Sequence, residues 1–239
     1  MIGRNIEINR NIIEKFLMKV KDYFRKNIRL VIYSAISIIV FLTIIISGIV
    51  YFNHREKNEI KELEIILEKY YSSESDKEKN IQKTINDINN LINSSLWGYV
   101  NKNGYYIIAG LYFSVNKHNE GKDYLLKFVN KSPSSFFAPL ALHRAGIECE
   151  KLNNINEALQ LYQRLESEYD GCVISDEIYY DLGRIYHVKG NILKAKEYYN
   201  KVILQFPISM YASKAKKRLL LLGQRDETTK AENKKKLAM

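Results

Sequence analysis

The chain has 239 residues, and Lys plus Arg exceed Asp plus Glu by ten. Residues 1–29 carry eight basic and three acidic side chains and residues 223–239 carry five and three, so the basicity sits partly in the arms and argues only weakly for nucleic-acid binding. Cys149 and Cys172 have neither the spacing nor the company of a metal or redox motif, and no Cys follows the apolar segment, so a lipoprotein anchor is not indicated.

Residues 5–27 read as a basic amphipathic helix. Ile6, Ile13, Phe16, Leu17, Val20 and Phe24 share a face, ringed by Lys15, Lys19, Lys21, Arg25 and Lys26. Two readings stand: a helix lying on an anionic membrane surface, or a solvated lead-in, since Lys and Arg collect before a membrane span in any case. Residues 30–52, LVIYSAISIIVFLTIIISGIVYF, hold no charge for 23 residues. At 1.5 Å per residue they reach roughly 34 Å, against a hydrocarbon core of about 30 Å. Tyr33 at one end and Tyr51 and Phe52 at the other suit the interfaces. A cleaved signal peptide is the rival reading. The long basic lead, the length of the apolar run and the lack of a small-x-small site count against it. Eight Lys and Arg precede the run, so the positive-inside rule sets residues 1–29 in the cytoplasm and the body outside it.

Beyond the span, residues 54–71 are helical in pattern, with Ile60, Leu63, Ile66, Leu67 and Tyr70 in a stripe. The polar run SSESDKEKN at 72–80 breaks it. The pattern returns at Ile81, Ile85, Ile88, Leu91 and Ile92. Residues 53–101 are thus a helical hairpin or a stalk leading into the body.

The clearest pattern is YYDLGRIYHVKGNILKAKEYYNKVILQFP at residues 179–207. An apolar face of helical period breaks at Gly190-Asn191 and resumes, which is two helices joined by a tight turn. Small residues at Gly183 and Ala195 let backbones approach, Tyr179, Tyr186 and Tyr199 fill the space around them, and Pro207 stops the second helix. This order resembles a tetratricopeptide (TPR) repeat. A single repeat cannot bury its own face, so neighbours must exist. They begin near Pro139 (Leu142, Ala145-Gly146, Cys149, Ala158, Tyr162, Leu165) and near Lys102 (Tyr105, Ile108-Ala109, Tyr112, Gly121, Leu125, Phe128). The starts near 102, 139 and 176 are 37 residues apart, and SPSSFFA at 132–138 recurs as FPISMYA at 206–212. The fold class expected is all-α: one N-terminal transmembrane helix, then a TPR-like solenoid of about three repeats over 102–222, with 209–222 as a capping helix. Residues 223–239 lack apolar content and are expected to be disordered.

No phosphate loop, nucleophile elbow or HExxH occurs, and His54, His118, His143 and His187 lack ligand spacing. The expectation is a protein that is not an enzyme and takes no cofactor or metal. On the first helix of each repeat, the face opposite the small residues would present Tyr106, Gly110 and Phe113, then His143, Ile147 and Glu150, then Tyr180, Arg184 and His187. Aromatics mixed with a few charges suit a peptide groove; the alternative is ordinary half-exposed helix surface. Cys149 and Cys172 fall at opposite ends of their helices, roughly 15–18 Å apart along a helix of about twelve residues, too far for the ~7 Å a disulfide needs. The span has no ionisable residue, which argues against an ion or proton path.

Taken together, a basic cytoplasmic lead (Asp22-Tyr23-Phe24-Arg25-Lys26-Asn27), one anchor and an extracytoplasmic TPR body resemble the YfgM-like ancillary subunits of the SecYEG translocon over residues 15–222. That resemblance implies a single-pass protein of the bacterial inner membrane with a periplasmic body, partnered by translocon subunits, periplasmic chaperones or secreted clients, with no small-molecule substrate. The FP-x-S-x-YA ending at 206–212 resembles another group, the TPR proteins of outer-membrane assembly and of the Tol-Pal system. It implies an envelope-biogenesis adaptor, or a partner of a cell-wall synthase, as the second reading.

Overall fold

The computed structural model describes the backbone of residues 2–72 and 77–237 and the side chains of residues 14–72 and 80–223. The polar break at 72–80, and Ile6 and Ile13 of the basic helix, fall largely or wholly outside the described side chains. Two units divide the chain, Met1–Asn58 and Glu59–Met239.

The first unit is helical throughout. Helix α1 (Ile2–Lys26) gives way at Asn27 to α2 (Ile28–Ser72). The Asn27 amide and its side-chain Nδ2 both donate to the Tyr23 carbonyl, and Val31 N donates back to Asn27 O at 3.1 Å. Around Phe41 and Ile44 the apolar side chains are open on every face of this stretch. Ser34 and Thr43 donate to the carbonyls of Val31 and Val40 three residues back, which leaves no hydroxyl without a partner in the apolar run at those positions. This helix is long and apolar enough to cross a membrane.

The second unit stacks helix pairs. After the end of α2 come α3 (Lys77–Ser94), α4 (Gly98–Ser114), α5 (His118–Lys131), α6 (Ala138–Lys151), α7 (Ile155–Glu168), α8 (Ser175–Val188), α9 (Ile192–Gln205) and α10 (Met210–Leu237). Helices α5, α7 and α9 begin 37 residues apart and end 37 residues apart. The same interval fixes the turns inside the pairs. Asn116, Asn153 and Gly190 occupy equivalent places, all with positive φ near 60–76°, the left-handed region that Gly and Asn tolerate. One residue later, Lys117, Asn154 and Asn191 donate their amides to the carbonyls of Tyr112, Cys149 and Tyr186 at 2.8–3.0 Å. That six-to-one bond closes each first helix and turns the chain back.

Small residues then set how closely the two helices of a pair lie. A Cβ added at Gly146 would come 2.6 Å from the Tyr162 ring, and one at Gly183 would come 2.7 Å from the Tyr199 ring. Both rings are fully buried. Between pairs, one apolar core runs from Ala109 and Leu125 to Ala212, Ala215 and Leu222, so α10 closes the array.

Residues 59–94 form a packed hairpin rather than an extended stalk. Leu63, Tyr70, Ile81, Ile85 and Ile88 bury themselves with Ile108, Leu111 and Tyr112 of α4 in a second core. This hairpin repeats the register of the array. Ile88 and Leu91 lie 37 residues before Leu125 and Phe128, and all four are buried. Leu63, Ile66, Leu67 and Tyr70 have the spacing of Tyr179, Leu182, Gly183 and Tyr186. The sequence reading stopped at three repeats because the link here is five residues longer: Tyr70 to Ile81 is 11 positions, Tyr186 to Ile192 only six.

The tail also differs from expectation. Helix α10 continues to Leu237 where residues 223–239 were expected to be disordered. The scarcity of apolar residues there bears on packing, but Gln, Arg, Glu, Lys and Ala are good helix formers and no Pro interrupts them.

Gly183→Ala forces its methyl into the immobile Tyr199 ring, and the expected loss is about 1–3 kcal/mol, read as a lower melting temperature by circular dichroism. Gly110→Ala, on an exposed helical site with nothing within 4 Å, is expected to raise stability by about 0.4–1 kcal/mol.

Candidate partner-binding face

The inner face of α4, α6 and α8 brings together some of the residues that the sequence sets there and hides others. Tyr106 is exposed, its ring against Phe128 and Phe137 with centroids 5.3 and 6.1 Å away. Gly110 is open beside it. Phe113 is half-buried, packed on His118, and covered by the Arg144 guanidinium 4.9 Å from its centroid. Ile147 and His187 are half-buried.

Glu150 and Arg184 meet across the α6–α8 boundary. Arg184 holds the Glu150 carboxylate through both terminal nitrogens, with Nη2 to Oε1 at 2.6 Å and Nη1 bonded to Oε2. The same guanidinium donates to Asp181 Oδ1 through Nη2 at 2.9 Å and Nε at 3.2 Å. Asp181 Oδ2 in turn lies 2.9 Å from His143 Nε2, and the Tyr162 hydroxyl donates to Glu150 at 2.7 Å. The bond to Glu150 raises the Arg184 pKa; burial opposes this, and Asp181 adds to it. The guanidinium therefore stays charged throughout the physiological range. Burial above all, then Asp181 and Glu150, drives the Tyr162 pKa far up, so its hydroxyl remains a donor.

Two positions depart from the sequence reading. His143 and Tyr180 were set on the open face, yet they are only 6% and 8% exposed. Asp181 reaches back from α8 to bind His143. Tyr180 is covered by α10, with Tyr211 at 5.5 Å between centroids and Lys214 Nζ 5.9 Å from its ring centroid. Asp181 and Tyr211 did not stand out in the sequence. Asp181 carries no periodic signal, and the covering role of Tyr211 depends on where α10 lands.

His143, Glu177 and Asp181 each offer a donor atom, all within 4.8 Å of one another. Their chemistry suits an ion-pair network better than a metal. Asp181 already serves His143 and Arg184, and an added cation would face the Arg184 charge.

A second cluster locks α5 to α6. The fully buried carboxylate of Glu148 accepts from His118 Nδ1 at 2.8 Å, Arg144 Nε at 2.7 Å and Lys151 Nζ at 3.0 Å. Burial pushes the Glu148 pKa up, but the bonds from Lys151, Arg144 and His118 outweigh it, and the net direction is downward. Nearby, Cys149 is buried and Cys172 lies in the link after α7, and both are free thiols. Burial, reinforced by Glu157, pushes the Cys149 thiol up to about 12, which makes it a poor nucleophile.

Paired antiparallel helices, stacked in register and closed by a terminal helix, define an α-solenoid of the TPR type. The sequence model for the tetratricopeptide repeat matches residues 176–207, so the chain carries a TPR repeat, the one formed by α8 and α9. Comparison with curated proteins found no match. Among solved structures, a putative kinesin light chain with nearly identical TPR-like repeats from Podosopora anserina is 12% identical. It covers 73% of this chain and 91% of its own, with a TM-score of 0.49. YrrB, described as a TPR protein with an unusual peptide-binding site, is 19% identical over 58% of this chain and 67% of its own, TM-score 0.43. The MamA protein is 18% identical over 64% and 73%, TM-score 0.43.

The two tyrosines that fill the glycine notches separate hydrogen bonding from packing. The Tyr199 hydroxyl is buried with no hydrogen-bond partner among the described residues, so Tyr199→Phe is expected to change stability by less than about 0.5 kcal/mol or to raise it. Tyr162→Phe removes a donor from the Glu150 carboxylate and is expected to cost about 1.5–3 kcal/mol; paired urea titrations compare them. The lowered pKa of Glu148 contributes stability above its unfolded value of 4.5, and that contribution is lost as pH falls through the folded value. Glu148→Gln is therefore expected to be less stable than the natural chain at neutral pH, with the gap closing in acid.

Proposed function

We propose that the chain is a membrane-anchored scaffold. Residues 30–52 span the bacterial inner membrane with the N-terminus in the cytoplasm, and the helix-pair body stands on the periplasmic side. The body presents the inner face of α4, α6 and α8 to an extended segment of a protein partner. The carrying observation is the open strip made by Tyr106, Ile147, Glu150, Arg184 and His187. It is half-exposed, aromatic at one end, and charged at the other. Arg184 and Glu150 are already paired, so they offer a fixed charge pattern without having to be ordered on binding. Phe113 lies beside the strip, and His143 and Tyr180 support it from beneath.

The partner class favoured by the architecture is a subunit of the protein translocon, a periplasmic chaperone or a secreted client. An outer-membrane-assembly or Tol-Pal-like adaptor, or a partner of a cell-wall synthase, is the second reading, favoured by the ending at 206–212. No catalytic role is assigned.

A photo-reactive residue at Ile147 in the full chain, with capture in mild detergent, tests this. The expected result is crosslinking to one dominant protein, reduced about tenfold by Arg184→Ala with His187→Ala, the loss expected when about 1.4 kcal/mol of contact is removed. Translocon subunits or a chaperone support the first partner class, and synthases or outer-membrane machinery the second. A crosslink pattern unchanged by the double substitution refutes the face assignment.

A further inference from the structure

The links that join one helix pair to the next carry apolar side chains in register. Tyr99, Phe136, Val173 and Met210 stand 37 residues apart. They fall at the start of α4, in the α5–α6 and α7–α8 links, and at the start of α10. They are 47, 69, 67 and 61% exposed, and Trp97 and Ile208 beside them are 49 and 100% exposed. Exposed apolar residues are ordinary when scattered. A row that recurs once per repeat along a single edge is a regular feature, not scatter. The opposite edge has no such row: its turns hold Asn116-Lys117, Asn153-Asn154 and Gly190-Asn191, and the exposed Val188 and Leu193 flank only the last of them.

What covers this edge follows from where the body begins. Glu59, the first residue of the body, accepts a hydrogen bond from Ser95 Oγ, which also lies 3.1 Å from the Trp97 carbonyl oxygen. The chain therefore joins the body at the apolar edge. Only residues 53–58 lie between Phe52, the end of the uncharged run, and Glu59. The seven steps from Phe52 to Glu59 reach at most about 25 Å even when fully extended. The length of chain between them therefore bounds how far Glu59, and the Ser95–Trp97 segment bonded to it, lies from the end of the uncharged run. The side chains also fit a membrane boundary. Aromatic rings favour the headgroup layer, and Lys102 and Lys131, which line a hollow of about 470 Å³ with Leu96 and Trp97, suit lipid phosphates.

We propose that this edge docks on the headgroup layer of the membrane in which the chain is anchored, with Trp97, Tyr99, Phe136, Val173 and Met210 inserted among the lipids. The proposal rests on residues 30–52 being a span. Docking holds the body upright against the bilayer, and the polar edge then faces away from it.

Trp97 is the only tryptophan in the chain, which makes it the probe. The full chain is reconstituted in phosphatidylcholine–phosphatidylglycerol vesicles with plain or brominated acyl chains. Bromolipid is expected to quench Trp97 emission about twofold, as for an interfacial indole. The combined Phe136→Ser, Val173→Ser and Met210→Ser variant, altered only at exposed positions, is expected to keep its helical circular dichroism and lose most of the quenching. Quenching unchanged in that variant would overturn the role of the row. Trp97 open to acrylamide but not to bromolipid, in protein that resists alkaline extraction, would overturn docking and leave the anchor standing. Trp97 shielded from both quenchers would mean that a protein partner or a second copy covers the edge, which also overturns it. Release of the chain by alkaline extraction would remove the anchor reading, and docking with it.

Discussion

The body depends on the close approach of the two helices in a pair, which in α6–α7 and α8–α9 is set by a glycine on one helix and a tyrosine on the other and in α4–α5 by Ala109 and Leu125 at the same register. At Gly146 and Gly183 the missing side chain makes a notch, and the rings of Tyr162 and Tyr199 fill it. With that distance fixed, the Asn or Gly of positive φ closes each pair. The 37-residue interval then lets each pair repeat the contact with the next. Burial is so complete that Tyr199 leaves its hydroxyl without a partner among the described residues. The shape of the ring is worth more there than its polar end.

Charge is used differently in the two clusters that tie neighbouring pairs. Around Glu148 a single buried carboxylate is surrounded by three basic side chains, two of which remain about half exposed. Exposed partners contribute little individually, so its chief effect is to leave no buried acceptor unsatisfied. Around Arg184 the order is reversed: one guanidinium holds two carboxylates, and its fork fixes their geometry. That cluster sits at the inner face, where it both joins α6 to α8 and presents a preset charge pattern.

The body has two edges of opposite character. The intra-pair turns are constrained by backbone geometry through an Asn or Gly at positive φ. The inter-pair links carry one exposed apolar side chain per repeat in register, and the chain reaches the body on that side. On the proposed docking, a second contact fixes the body before a partner binds, which lowers the entropy cost of binding.

The sequence alone determined the helical character, the pairing of helices, the repeat interval and the uncharged run, because each rests on local periodicity or on a Gly or Asn demanded by a turn. The 37-residue spacing of Gly146 and Gly183 was legible for the same reason. The hairpin of residues 59–94 was harder to read, since a link five residues longer hides the shared register until both helices are seen against α4. The candidate face was legible only in part. Register puts Tyr106, Ile147, Glu150 and Arg184 on one side of their helices. Whether such a residue is open depends on what lies above it. Tyr180 is covered because α10 folds back with Tyr211, and His143 is buried because Asp181 belongs to the next helix. Those contacts join residues 31 and 38 positions apart in the chain, and only tertiary packing decides them.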